Sequence, residues 1–196
     1  MRWSLTVVVY AALSANAFAL PIMFTHTGRG SGTIDDMPFS DADFTVTALG
    51  ATENRNDETP GLFFINHDSS SIDIRGVGVL QFVTPTRTFV NNGVTIVGFS
   101  RAGFSGLDLF NGPANQVFGS WDMLSSVGPI DGTGNLLQWL SSPVVTDAGV
   151  LLFSSGSSNA TFKATIVPEP TSMLLMAIGA LAFGLGFCLR RQGKRA

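Results

Sequence analysis

Hydrophobic residues through the middle of the chain alternate with polar ones far more often than they recur every three or four positions. In Asp43 to Ala48, DFTVTA, the apolar set is Phe44, Val46 and Ala48 with threonine between them, the period of a half-buried strand. SIDIRGVGVL repeats the pattern at Ile72 and Ile74, and TFKATIV puts Phe162, Ala164 and Ile166 on one face. RTFVNNGVTIVGF predicts a hairpin, because Asn92 and Gly93 tolerate the positive φ of a type I′ turn between two β-branched and aromatic runs. Turn residues punctuate the rest: Gly28, Gly30 and Gly32; Pro60 with Gly61; Asn111 to Pro113; Gly132 with Gly134; Ser154 to Ser158. Only NLLQWL, Asn135 to Leu140, offers a turn of helix, and it reads equally as strand. The polar stretch Ala51 to Gly61 reads as a solvated loop between strands. Together these patterns predict an all-β body, an antiparallel β-sandwich or jelly-roll-like barrel.

Both ends break the alternation. Met1 to Ala19 has the layout of a secretory signal peptide: Arg2, an apolar stretch Leu5 to Leu13, and an A-x-A cleavage site at Ala17 to Ala19. At the other end Met173 to Leu189 carries no charge over 17 residues. As a helix that run is about 25 Å long, just enough to cross a bilayer core. Arg190, Arg191, Lys194 and Arg195 follow it, which by the positive-inside rule leaves the last residues in the cytoplasm and the body outside. The chain thus divides into a signal peptide at 1–19, an exported body at 20–166 and a tail at 167–196.

Charge narrows the partners of the body. From Leu20 to Val167 there are 13 acidic and 6 basic residues, a net charge of −7 that the whole-chain value of −3 conceals. One lysine, Lys163, and an acidic balance exclude a nucleic-acid interface, which needs clustered cations. The single cysteine, Cys188, lies in the apolar tail, so the body has neither a disulfide nor a cysteine metal site and holds together by packing.

Candidate chemistry is sparse. GFSRA, Gly98 to Ala102, approaches a nucleophile elbow with Ser100 in the reactive place, and a secreted hydrolase would have to pair it with His67 or His26. No strand-to-helix turn is predicted around it. Asp35, Asp36, Asp41 and Asp43 put four carboxylates in nine residues, with Asp57, Glu58 and Asp68 as a second acidic neighbourhood, and hard oxygen ligands from such loops suit calcium. The same aspartates also suit plain turns. Trp121 and Trp139, if exposed, could stack on sugar rings. These features sustain an alternative reading as a carbohydrate- or calcium-binding module. NAT at Asn159 to Thr161 fits a glycosylation acceptor.

One detail of the tail is more specific. Val167, Pro168, Glu169 and Pro170 spell VPEP directly before the apolar run, and its two prolines hold the backbone extended. The order VPEP, apolar helix, then Arg190 with Arg191 resembles the PEP-CTERM sorting signal of Gram-negative bacteria. The resemblance covers about 30 of the 196 residues. It implies that an exosortase, a polytopic membrane enzyme with a cysteine nucleophile, recognises Pro168, Glu169 and Pro170 and removes the tail, with transfer of the protein to another carrier, Arg190 and Arg191 being the cytoplasmic stop. It further implies export through the general secretion machinery, a precursor anchored in the inner membrane through the C-terminal helix, and a final place at the cell surface or in an extracellular polysaccharide or biofilm matrix. On this reading the protein is a substrate and not an enzyme.

Overall fold

Two long strands organise the molecule. β1 (Pro21–Ile34) and β2 (Met37–Ala51) form a hairpin whose two turn residues, Asp35 and Asp36, have φ of 45° and 65°. Short polar side chains tolerate that conformation best after glycine. Asp35 also ties the turn to a neighbour: its carboxylate accepts from Val150 N–H at 2.8 Å, and its own N–H donates to the Val150 carbonyl. The computed structural model describes residues 20–103, 108–140, 143–156 and 159–168.

Beside β2 lie β5 (Ser69–Ile74) and β6 (Gly78–Gln81). The other edge of β1 is shared: β14 (Asn159–Ile166) pairs with its first half and β13 (Gly149–Gly156) with its second. Outside these run β10 (Val127–Thr133), on β14, and β12 (Val144–Thr146), on β13. The facing sheet is antiparallel with the order β11 (Asn135–Leu136), β9 (Asp108–Ala114), β8 (Ile96–Arg101), β7 (Thr86–Asn91), β4 (Leu62–Asn66) and β3 (Arg55–Thr59). The body is all-β. Among the described residues the only helical elements are three short 3-10 turns, and no helix is long and apolar enough to cross a membrane. The expected signal peptide and the expected helix at 173–189 lie outside the described residues.

Inward residues of both sheets form two aromatic clusters. Phe44, Phe99, Phe110, Trp139 and Phe153 dominate one, and Phe24, Phe118, Trp121 and Phe162 the other. Phe44, Val46, Ala48, Ile72, Ile74, Phe162 and Ala164 are buried as their alternation predicts.

Several local expectations need correction. Gly28, Gly30 and Gly32 are not turns but interior residues of β1; a Cβ on Gly28 would sit 2.5 Å from Cζ of Phe44, so the missing side chain makes room for that ring. The β7–β8 hairpin exists, yet its connection is four residues long. Asn92 and Gly93 keep ordinary φ, Thr95 takes the positive value of 53°, and the Asn91 side chain accepts from Gly93 and Val94 N–H. The Ala51–Gly61 segment crosses between sheets and supplies β3, an edge strand whose polar residues show no inward apolar face. Trp121 and Trp139 are core residues, 6% and 0% exposed, so neither forms a sugar-stacking platform.

Candidate functional site

The end of β14 sets the geometry of the tail. Ile166 lies opposite Ile22 and donates its N–H to Ser126 Oγ at 2.9 Å, and Val167 N–H donates to the Pro21 carbonyl at 2.8 Å. Pro168 has no N–H, so the ladder cannot continue through it. Val167 and Pro168 are exposed. Because β1 and β14 are antiparallel neighbours, Leu20 and Pro21 leave the sandwich beside Val167 and Pro168, at one pole. Glu169, Pro170, Arg190 and Arg191, like Ala17 and Ala19, lie outside the described residues.

Between the two aromatic clusters runs a polar chain that alternation alone does not reveal. His26 Nε2 lies 3.2 Å from Thr88 Oγ1, and Thr88 Oγ1 lies 3.0 Å from His67 Nε2; His67 Nδ1 is 2.8 Å from Thr86 Oγ1, which is 2.7 Å from Ser70 Oγ. His26 is wholly buried, with the Phe162 ring centroid 4.8 Å away, and His67 stacks on Phe99. Nδ1 of His26 has no partner among the described residues. An unmet lone pair costs less than an unmet N–H, which favours the proton on His26 Nε2 and donors running from His26 through Thr88 and His67 to Thr86. Burial pushes both imidazoles down from 6.5 to about 3, helped at His67 by the neighbouring His26, so both are neutral at physiological pH. Ser100 is fully buried in β8, where its hydroxyl accepts from Arg87 Nε at 3.1 Å. It sits on a strand rather than at a strand-to-helix turn.

The outward face of the first sheet is graded along its length. Met23 lies between Thr165 and Leu49; one row up, Thr25 lies between Lys163 and Thr47; the next places Asp131, Thr161, Thr27, Thr45 and Asp73 side by side; then Arg29 faces Asp43. A groove of about 570 Å³ opens over the last two rows, lined by Thr27, Thr45, Thr161, Asn159, Asp43 and Asp131 among others. The aspartates proposed for calcium do not converge. Asp35 and Asp36 occupy the hairpin turn, whereas Asp41 takes Arg29 in a two-pronged bond at 2.6 and 2.7 Å and Asp43 is shared by Arg29 and Arg75. Arg29 holds the Asp41 carboxyl below its ordinary range, chiefly through that hydrogen bond. Among the described residues no three His, Cys, Asp or Glu side chains gather as a metal site. The groove was missed in sequence because it depends on register; its trace there is the pair of T-x-T steps, Thr25 to Thr27 and Thr45 to Thr47.

The family described as the PEP-CTERM protein-sorting motif matches residues 167–192. Residues 167–192 carry a PEP-CTERM sorting motif. This PEP-CTERM match opens on Val167, which among the described residues is the last whose backbone N–H bonds to β1. It takes in Pro168, Glu169, Pro170, the apolar run and both Arg190 and Arg191, and it marks an exported protein recognised by an exosortase. Comparison with curated proteins and with solved structures returns no match.

Proposed function

We propose that the protein is a non-enzymatic component of the cell surface or extracellular matrix. It is made as an inner-membrane precursor, its body in the periplasm and its apolar tail in the bilayer, and an exosortase trims or transfers it at Val167 to Pro170. The observation that carries the reading is the sorting-signal match at 167–192, which begins at the end of the backbone ladder. Prolines at 168 and 170 have no N–H to offer a strand ladder, which suits a segment that an enzyme in the membrane must read. Glu169→Ala tests the recognition element. The variant is expected to accumulate with its tail attached while the wild type is processed; processing at the wild-type rate would overturn the assignment of Glu169.

The groove favours a second reading, in which the body binds matrix polysaccharide. Hydroxyls of Thr27 and Thr45 and the Asn159 amide line the groove, beside Asp43, which Arg29 and Arg75 hold, and Asp131, which accepts from Thr161 at 2.6 Å; hydroxyls and amides are donors and acceptors that polyols use. Titration calorimetry with the polysaccharide of the host would show binding that Thr27→Val weakens. No heat from the wild type removes this reading.

A further inference from the structure

We propose that the pole from which both chain ends emerge is a lipid-facing pad, on which the body rests against the membrane while the tail holds it there. The inference rests on the reading of residues 173–189 as a membrane segment. Its basis is the grading of the outer face. Val167 donates its N–H to Pro21, Pro21 faces Ala51 and Met23 faces Leu49, so these five residues form an apolar patch over two adjoining rows on the solvent side of the first sheet, the second row flanked by Thr165 and Ser69. Leu49 and Val167 are 39% and 37% exposed, and Leu20, 40% exposed at the tip, adds an apolar side chain beside the α-ammonium group left by signal-peptide removal after Ala19. One step further along β1 and β2 the outward residues are already threonines, and beyond them Arg29 and Asp43. Apolar side chains thus occupy this face where the termini leave it.

The length of chain fixes the occupant. From Val167 to Met173, the first residue of the apolar run, is six residues, about 20 Å at full extension. The Met23 row lies two residues from Pro21, about 7 Å along the strand. Apolar surfaces at a membrane sink about 5–10 Å into the headgroup boundary, so a modest tilt of the sandwich brings the pad to that depth. Lys163 stands in the next row, while Asp68, whose N–H bonds the Leu49 carbonyl, and Glu53 are exposed near the rim. These charges do not favour anionic lipid, so insertion of the apolar rows is the driving term and headgroup charge has little effect.

The test uses the exported precursor, Leu20 to Ala196 without the signal peptide, in phosphatidylcholine vesicles, with insertion first established by flotation. Cys188→Ser removes the one native thiol, and Leu49→Cys or Met37→Cys then carries an environment-sensitive fluorophore. Met37, 75% exposed, lies at the far end of the same hairpin, about 40 Å away along the strand. The pad predicts a blue-shifted label at 49 that brominated lipids quench several-fold more than the label at 37, unchanged by added phosphatidylglycerol. Adding Met23→Glu should abolish the difference while circular dichroism remains that of the parent. Equal quenching at both positions overturns the proposal. So does a blue shift at 49 without lipid quenching, because a second copy or another protein would then cover the patch. Processing is read separately from the mass of the C-terminus, so a trimmed protein with no quenching contradicts the pad alone, and an untrimmed one with strong quenching contradicts only the processing.

Discussion

Acid should unfold this protein through His26 before its carboxylates titrate fully. The imidazole is neutral and fully buried, and its pKa falls to about 3 from an unfolded value of 6.5. Above pH 6.5 neither state carries the proton, so the group contributes no pH dependence there. As pH falls from 6.5 toward 3 the unfolded chain takes up a proton that the fold refuses, and stability drops. At pH 5 the loss from His26 is about 2 kcal/mol, a ~30-fold change in the folding equilibrium. His67, which burial also pushes down to about 3, adds to the loss in the same direction. Urea denaturation followed by the fluorescence of the buried Trp121 and Trp139 at pH 7.5 and pH 5 measures the effect. His26→Phe, set among Phe99, Phe110 and Phe162, should remove about 2 kcal/mol of the difference between the two pH values. A wild type equally stable at both values, or a variant with the same acid sensitivity as the wild type, would refute the reasoning.

Gly32→Ala should lower stability by about 2–3 kcal/mol in the same urea assay, because the new Cβ would lie 2.2 Å from the Leu152 carbonyl oxygen, and backbone cannot swing aside as a side chain can. Removal of calcium with a chelator should leave the melting temperature where it was, since Asp41 and Asp43 are engaged by arginines and Asp35 with Asp36 by the hairpin turn; a rise of several degrees on adding calcium would contradict that.

How far the sequence could be read depended on whether the signal was local. Phe44, Val46 and Ala48 alternate with threonine inside one strand, so the strand and its buried face were both legible. β1 was not, because between Phe24 and Ile34 its inward positions hold His26, Gly28, Gly30 and Gly32 in place of an apolar series. Those glycines answer to rings and backbone on neighbouring strands, Phe44 and Phe153 among them, which lie far away in the chain. β3 escaped notice for the opposite reason: as an exposed edge strand it buries none of Arg55 to Thr59, and nothing apolar marks it. The aspartates looked like one cluster because they are close in sequence, yet a turn and an arginine on the opposite strand divide them. Hydroxyls of Thr27, Thr45 and Thr161 meet only through the register of three strands. The sorting signal needed no such knowledge, since its parts follow one another along the chain.

The most direct test of the central claim is the intact mass of the protein recovered from the cells that make it. Processing at the sorting signal predicts a chain that ends between Val167 and Thr171, free or joined to another carrier, with Arg190 and Arg191 gone. A population in which every molecule still carries both arginines would contradict it.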